Sequence, residues 1–137
     1  MTLTRDIMTS GARCIGENDS LQIAASVMAE LDVGALPICG EDSRLKGMLT
    51  DRDIVIKAVA HGMDPDTTPA GALAAGKPVT VQATDDVRVA LEKMQAHQVR
   101  RLPVIDDHLL VGIVSQADVA LALSAEETGE TVESISR

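Results

Sequence analysis

The fold is decided by a heptapeptide that occurs twice, as GMLTDRD at residues 47–53 and as GIVSQAD at residues 112–118. Each copy contains a glycine, two apolar residues, a hydroxyl residue and, three positions after the hydroxyl, an aspartate. The surrounding residues repeat as well, because Met28 aligns with Met94 and Leu36-Pro37 aligns with Leu102-Pro103. The chain is therefore an internal duplication, and both copies are expected to form the same structural unit.

Each copy predicts the element order strand, helix, strand, strand, helix from its apolar spacing. In the first copy we predict strands at 14–15, 35–39 and 45–49, and helices from 21 to the stop at Gly34 and at 51–60. In the second we predict strands at 79–81, 102–105 and 109–114, and helices from Val87 and at 117–123. Asn18 is the predicted N-cap of the first helix. Pro37 and Pro103 predict edge positions or strand starts.

The duplication indicates the α/β (α+β) class, with two β-α-β-β-α repeats. One copy of about 50 residues buries too little surface to be stable alone. We therefore predict that the copies pack about a pseudo-twofold axis and leave clefts where they meet. The predicted divisions are a lead-in with the first repeat at 1–62, a linker with the second repeat at 63–123, and an acidic flexible tail at 124–137.

Composition argues against several classes of function. The net charge of −9 and the absence of Phe, Tyr and Trp leave neither a basic surface for a phosphate backbone nor a ring for stacking on bases, so we expect no nucleic acid partner. No apolar run approaches the roughly 20 residues that span a bilayer, and the first residues lack a signal-peptide pattern. We expect a cytoplasmic protein with no membrane partner. Two cysteines and three scattered histidines predict no metal site.

The heptapeptides place a hydroxyl residue where a helix begins and an aspartate one turn later. Helix N-termini present unpaired N–H groups and partial positive charge, which suit a phosphate, and the aspartate could accept hydrogen bonds from ribose hydroxyls. The pairs Thr50–Asp53 and Ser115–Asp118 also fit a capping box, in which both side chains satisfy helix N–H groups. Both interpretations are open, and recurrence at equivalent places in a repeat favours ligand binding.

The element order and the motifs resemble a tandem cystathionine-β-synthase-type (CBS) domain pair over about residues 3–123. The matching segments are the lead-in RDIMT at 5–9, the strands GALPI at 34–38 and RRLPV at 100–104, and the two heptapeptides. The segment DRDIV at 51–55, with Cys14 and Cys39, resembles a free-standing mycobacterial type of this pair. The family implies a regulatory module, and no cofactor, that binds AMP, ADP, ATP or S-adenosylmethionine between its repeats, forms a homodimer through apolar helix faces and acts on a protein partner.

Site residues follow from this resemblance by position. Asp53 and Asp118 would hold ribose, and Thr50 and Ser115 would approach phosphate or ribose. In such proteins, basic residues just before the Leu-Pro strand contact phosphate. The second copy has Arg100 and Arg101 at these positions, whereas the first copy has the uncharged pair Gly34-Ala35. The resemblance therefore implies that the second copy is the better nucleotide site. The predicted apolar slot for adenine, whose members are also ordinary core candidates, comprises Ile7, Ile15, Leu36, Pro37, Val81 and Pro103.

Cys14 and Cys39 fall on strands predicted to be neighbours, which is compatible with either a disulfide or two buried thiols. A second hypothesis is therefore a structural or interaction protein that binds no nucleotide and responds to the redox state of these cysteines. An enzyme is not expected, because the sequence has no signature of a nucleophile with its base, of a metal cluster or of a Walker-type phosphate loop.

Overall fold

The computed structural model describes residues 1–74 and 78–136, with side chains as far as Glu126. The chain forms two compact units, which we call the first-repeat unit, Arg13–Pro78, and the second-repeat unit, Met1–Ala12 with Val79–Arg137. In chain order the elements are α1 (Thr4–Ile7), β1 (Thr9–Ser10), β2 (Ile15–Gly16), α2 (Leu21–Leu31), β3 (Ala35–Cys39), β4 (Leu45–Thr50), α3 (Asp51–Asp53), β5 (Val81–Gln82), α4 (Val87–His97), β6 (Arg101–Asp106), β7 (Leu109–Ser115) and α5 (Gln116–Ser136). The predicted α+β class and repeated element order are confirmed.

The first-repeat unit is built on a three-stranded sheet in the order β2-β3-β4. Strand β2 runs parallel to β3, and β4 runs antiparallel to it. Helix α2 buries one face because its apolar residues recur at helical spacing. Val27 belongs to this buried face, whereas Leu31 at the end of the helix is 43% exposed. The core residues are Ile15, Leu21, Ala24, Val27, Met28, Leu36, Ile38, Leu49, Ala58, Ala70 and Leu73.

The second-repeat unit has the sheet order β1-β7-β6-β5. The lead-in belongs to this unit and not to the first repeat with which the sequence grouped it, because β1 pairs antiparallel with β7. The backbone N–H groups of Thr4 and Arg5 also donate to the carbonyls of Asp85 (2.8 Å) and Ala83 (3.0 Å). Gly112 permits the approach of β1, since a Cβ there would lie 2.7 Å from the Thr9 carbonyl oxygen. The core consists of Val81, Ala83, Val87, Ala90, Met94, Leu102, Val104, Val114 and Val119.

Helix α2 starts at Leu21 and helix α4 starts at Val87, as predicted, but the N-cap and the stop of α2 are other residues than those predicted. Ser20, not Asn18, caps α2, and its hydroxyl accepts a hydrogen bond from the Ile23 N–H at 3.2 Å. The helix ends at Asp32, which adopts the left-handed conformation (φ 54°) usually taken by glycine. Gly34, the predicted stop, has no such φ. In the second repeat Gln98 ends α4 in the same way (φ 53°).

We predicted one α-helix at 51–60, but the helical segment after β4 is not one regular α-helix. Three α-helical residues of α3 are followed by a π-helical stretch, Ile54–Ala58, and a 3₁₀ turn, Val59–His61. The counterpart in the second repeat, α5, is regular and runs to Ser136, so it includes most of the tail that was predicted to be flexible. The two prolines lie in the central strands β3 and β6, not in edge strands. However, β2 and β5 pair with these strands only beyond Pro37 and Pro103, so each proline has a paired neighbour on one side alone.

Candidate functional site

In the second-repeat unit, Ser115 and Asp118 join the end of β7 to the start of α5. The Ser115 Oγ accepts a hydrogen bond from the Asp118 N–H at 3.1 Å, and the Asp118 Oδ2 accepts one from the Ser115 N–H at 3.3 Å. This is a reciprocal capping box, formed because the first helical N–H groups have no partner within the helix. Among the described contacts, the second carboxylate oxygen of Asp118 and the Ser115 hydroxyl proton are not used, so both are available to a ligand.

The first-repeat unit has the same arrangement at Thr50 and Asp53. The Thr50 Oγ1 accepts from the Asp53 N–H at 3.0 Å, and the Asp53 Oδ2 accepts from the Thr50 N–H at 3.1 Å. Its remaining carboxylate oxygen, Oδ1, lies 3.3 Å from the Lys57 Nζ in an ion pair one turn along the helix. The two predicted pairs thus have the capping geometry in common, and Asp53 alone is also engaged by a lysine.

Two arginines border the Ser115–Asp118 pair. Arg101 pairs with Ser115 across β6 and β7, and the Arg100 carbonyl accepts a hydrogen bond from the Gln116 N–H at 2.8 Å. Both side chains are exposed, and neither forms an ion pair with a described residue. Together with Ser115, Gln116 and Ala117 they line an open pocket of about 340 Å³, where two positive charges meet the N-terminus of a long helix.

The corresponding place in the first-repeat unit has a different charge. The Asp51 N–H donates to the Gly34 carbonyl at 2.9 Å, as Gln116 does to Arg100. There is no arginine at 34 or 35, and an aspartate replaces the neutral glutamine. A shallow pocket of about 330 Å³ is lined here by Asp51, Arg52, Val55 and Ile56. Sequence reasoning overlooked Gln116 and Asp51 as site residues, although both lie inside the heptapeptides, directly after the hydroxyl residue.

The residues predicted to form an adenine slot are mostly core residues. Ile15, Leu36 and Pro37 are buried in the first-repeat unit, and Val81 and Pro103 are buried in the second. Ile7 is partly buried against the second-repeat core and keeps some accessible surface. Of the predicted slot residues in the second-repeat unit, Ile7 is therefore the one a ligand could reach without local rearrangement.

Cys14 and Cys39 are joined by a disulfide in the first-repeat unit, with their Cα atoms 5.7 Å apart. Cys14 directly precedes β2, and Cys39 is the last residue of β3, paired with Gly16. The bridge therefore links the start of β2 to the end of the parallel strand β3. A small pocket of about 210 Å³ adjoins Cys39.

No three or more His, Cys, Asp or Glu side chains within 1–74 and 78–126 are grouped as metal ligands, and His61, His97 and His108 are separately exposed. No described helix combines the length and the apolar character needed to cross a membrane.

Comparison with known proteins gives a consistent family. The CBS domain family matches residues 5–59 and 70–125. Hypoxic response protein 1 of Mycobacterium tuberculosis is 52% identical over 135 residues, covering 98% of this chain and 94% of that protein. The crystal structure of Hypoxic Response Protein I with two coordinated zinc ions has a TM-score of 0.82 and 55% identity, and the match covers 87% of this chain and 97% of that one.

Two further solved structures contain adenosyl ligands. The CBS domain protein PAE2072 from Pyrobaculum aerophilum, complexed with AMP, is 30% identical with a TM-score of 0.79 over 90% of this chain and 99% of that one. The CBS domain pair of protein MJ0100, in complex with 5-methylthioadenosine and S-adenosyl-L-methionine, is 26% identical with a TM-score of 0.77 over 91% of this chain and 98% of that one.

Proposed function

Because this chain belongs to the CBS domain family, we propose that it is a regulatory protein that binds an adenosyl ligand at its second-repeat unit. The observation that carries this proposal is the pair of exposed guanidinium groups, Arg100 and Arg101, beside the capping box of a 21-residue helix. The net charge of the whole chain is −9. Two adjacent arginines that form no ion pair with any described acid therefore make an unusually favourable place for an anion on this surface.

Each group in the pocket has a role that its chemistry supports. A guanidinium presents several donors in a planar fork that fits phosphate oxygens. The Ser115 hydroxyl can donate its proton to a phosphate or ribose oxygen while it continues to accept from the Asp118 N–H. The free carboxylate oxygen of Asp118 can accept a hydrogen bond from a ribose hydroxyl, and the partial positive charge of the α5 N-terminus favours the phosphate. Of the predicted slot for adenine, Ile7 is the member we propose as the first contact.

The proposed ligands are AMP, ADP, ATP or S-adenosylmethionine, and binding is proposed to change a surface that a protein partner recognises. AMP and S-adenosylmethionine occur in related structures that are 30% and 26% identical to this chain. The proposal requires binding and no chemical step. We place this function in the cytoplasm, where these metabolites are formed.

Titration calorimetry with AMP tests the proposal directly. The double variant Arg100→Gln/Arg101→Gln removes both charges and keeps polar side chains, and we expect AMP binding to weaken by about tenfold or more, since each charged hydrogen bond is worth roughly 1.5–3 kcal/mol. The matched control is Arg13→Gln/Arg44→Gln, which removes two exposed positive charges from the first-repeat unit and should bind AMP as the wild type does. Equal affinity of the test and control variants would contradict the proposal.

We also propose that the protein is a homodimer. The first-repeat unit exposes seven large apolar side chains on and beside its helical segments, and exposed apolar surface that is contiguous marks a protein interface. These side chains are Ile23, Leu31, Val33, Val55, Ile56, Val59 and Met63. Light scattering coupled to gel filtration should give twice the chain mass, and Val55→Glu/Val59→Glu should give the monomer mass with the fold retained. A monomeric wild type would contradict this part of the proposal.

A second candidate function is favoured by the Cys14–Cys39 bridge. In this alternative the protein binds no nucleotide and interacts with a partner according to the redox state of the bridge. It predicts that partner binding changes on reduction and that AMP produces no heat in either state. AMP binding that is equal in the oxidised and reduced protein would contradict it and favour the ligand-sensing function.

A further inference from the structure

We propose that Asp51 excludes phosphate from the first repeat, so that nucleotides bind to the second-repeat unit alone, one per chain. The inference rests on the proposed function, because it assigns the specificity of the same motif in its two copies. It concerns a residue that the heptapeptide leaves variable, and it identifies phosphorylated ligands as the class that the first copy rejects.

The two copies can be compared directly because their backbones have the same local geometry. Ala35 pairs with Thr50 in the first unit as Arg101 pairs with Ser115 in the second. The first N–H after the hydroxyl residue donates to the carbonyl of residue 34 in one copy and of residue 100 in the other, at 2.9 and 2.8 Å. The side chain at position 51 therefore starts from the place that Gln116 occupies beside the two arginines.

The carboxylate of Asp51 lies close to Gly34, the residue that is an arginine in the second copy. A Cβ added to Gly34 would be only 3.1 Å from the Asp51 Oδ2. In the second copy the equivalent residue, Arg100, has a Cβ, and its neighbour Gln116 has no charge. The missing side chain at Gly34 therefore leaves room for a negative charge in the first copy, whereas the second copy has an arginine at the equivalent position.

Neighbouring charges do not reverse this difference. Asp32 lines a groove together with Asp51, and the carboxylate of Asp53 is matched by its ion pair with Lys57. Arg52 brings one positive charge to the pocket, which offsets one of the two remaining carboxylates. Asp51 itself accepts a hydrogen bond from the backbone N–H of Arg52 at 2.8 Å, through Oδ1. An incoming phosphate would thus meet a fixed carboxylate at close range.

The size of the effect follows from Coulomb's law at a protein surface. A carboxylate about 5 Å from one phosphate charge, with an effective dielectric constant between about 20 and 80, changes affinity by roughly 4-fold to 200-fold. Removal of the Asp51 charge should therefore tighten binding of a phosphorylated ligand by about tenfold. A ligand without phosphate should respond much less, and this difference separates an electrostatic role from a purely structural one.

The experiment measures the first repeat in a background in which the second is weakened. AMP and adenosine are titrated by calorimetry into Arg100→Gln/Arg101→Gln and into the same chain with Asp51→Gln added. The glutamine copies the residue that the second repeat has at this position. Glu41→Gln, which removes an exposed negative charge elsewhere in the first-repeat unit, is the matched control. The variant Gly34→Arg/Asp51→Gln, in the otherwise wild-type chain, tests whether the full charge pattern can be transplanted.

We expect Asp51→Gln to tighten AMP binding about tenfold and to change adenosine binding less than twofold, with no change for the control. The transplant variant should bind two AMP molecules per chain where the wild type binds one. The inference is overturned if wild type already binds two AMP molecules, or if Asp51→Gln has no effect on AMP or an equal effect on adenosine. Failure of the proposed function is a separate result, in which Arg100→Gln/Arg101→Gln does not weaken AMP binding; absence of AMP binding to any variant overturns both.

Discussion

Asp118→Ala and Asp53→Ala form a matched pair that separates helix capping from ligand binding. Each aspartate accepts the N–H of a hydroxyl residue, at 3.3 Å in the second repeat and 3.1 Å in the first, so each alanine variant loses the same kind of cap. Loss of one such cap costs about 1 kcal/mol. Asp53→Ala also loses the ion pair with Lys57, which adds roughly 0.3–0.5 kcal/mol for a pair at this spacing.

Of these two aspartates, only Asp118 is expected to contribute to nucleotide affinity. A carboxylate that accepts a ribose hydroxyl makes a charged hydrogen bond worth roughly 1.5–3 kcal/mol, so Asp118→Ala should weaken AMP binding about 10-fold to 100-fold. Asp53→Ala should leave AMP affinity within about twofold, although its stability falls at least as much. Urea unfolding gives the stabilities, and calorimetry at fixed salt gives the affinities. If both variants lose stability and neither loses affinity, the heptapeptides are helix caps only and the assignment of Asp118 is wrong.

Three further predictions concern stability. Gly112→Ala should lose about 1–3 kcal/mol in urea unfolding because its Cβ would meet the Thr9 carbonyl, and a loss below about 0.5 kcal/mol would mean that β1 moves easily. Gln98→Gly should gain roughly 0.5–1 kcal/mol, since glycine adopts the left-handed cap without the Cβ penalty; a loss in thermal unfolding would contradict that backbone conformation. Cys14→Ser/Cys39→Ser should be about 3.5 kcal/mol less stable than the oxidised protein, because the disulfide closes a loop between residues 25 positions apart, and it should match the reduced wild type. Equal stability of the variant and the oxidised protein would show that the bridge does not form.

The duplicated heptapeptide predicted most of the architecture because its apolar half belongs to a strand and its polar half begins a helix. Its apolar pair lies near the end of β4 or β7, where Leu49 and Val114 are buried, and its hydroxyl residue is the N-cap of the next helix. Periodicity then locates α2 and α4, whose buried faces are local properties of the sequence. The strands differ from prediction by one or two residues at their ends, as expected where pairing partners decide the boundary.

Features that depend on distant contacts or on small energy differences were not predictable in this way. The pairing of β1 with β7 joins Thr9 to Ile113, and local patterns give no information about such a contact. Asp32 and Gln98 end their helices in the left-handed conformation that glycine adopts most easily. The sequence therefore favoured Gly34 as the end of α2, and that prediction was wrong. The π-helical stretch Ile54–Ala58 has no sequence signal of its own.

The candidate site was predicted in part. The sequence marked Arg100 and Arg101 as the charged difference between the repeats, and the structure places both beside Ser115 in one pocket. The sequence also predicted an apolar slot for adenine. Two of its predicted members, Val81 and Leu36, are instead buried in the cores of their units. Spacing alone cannot distinguish a core residue from a ligand contact, because both are apolar and both follow the same periodicity.

The most direct test of the central claim is a crystal structure of the chain grown with AMP. We predict one AMP per chain, with its phosphate in contact with Arg100 or Arg101 and its ribose hydroxyls within hydrogen-bonding distance of the Asp118 carboxylate. AMP bound instead at Thr50 and Asp53, or a crystal without bound AMP at a concentration that saturates calorimetry, would contradict the account.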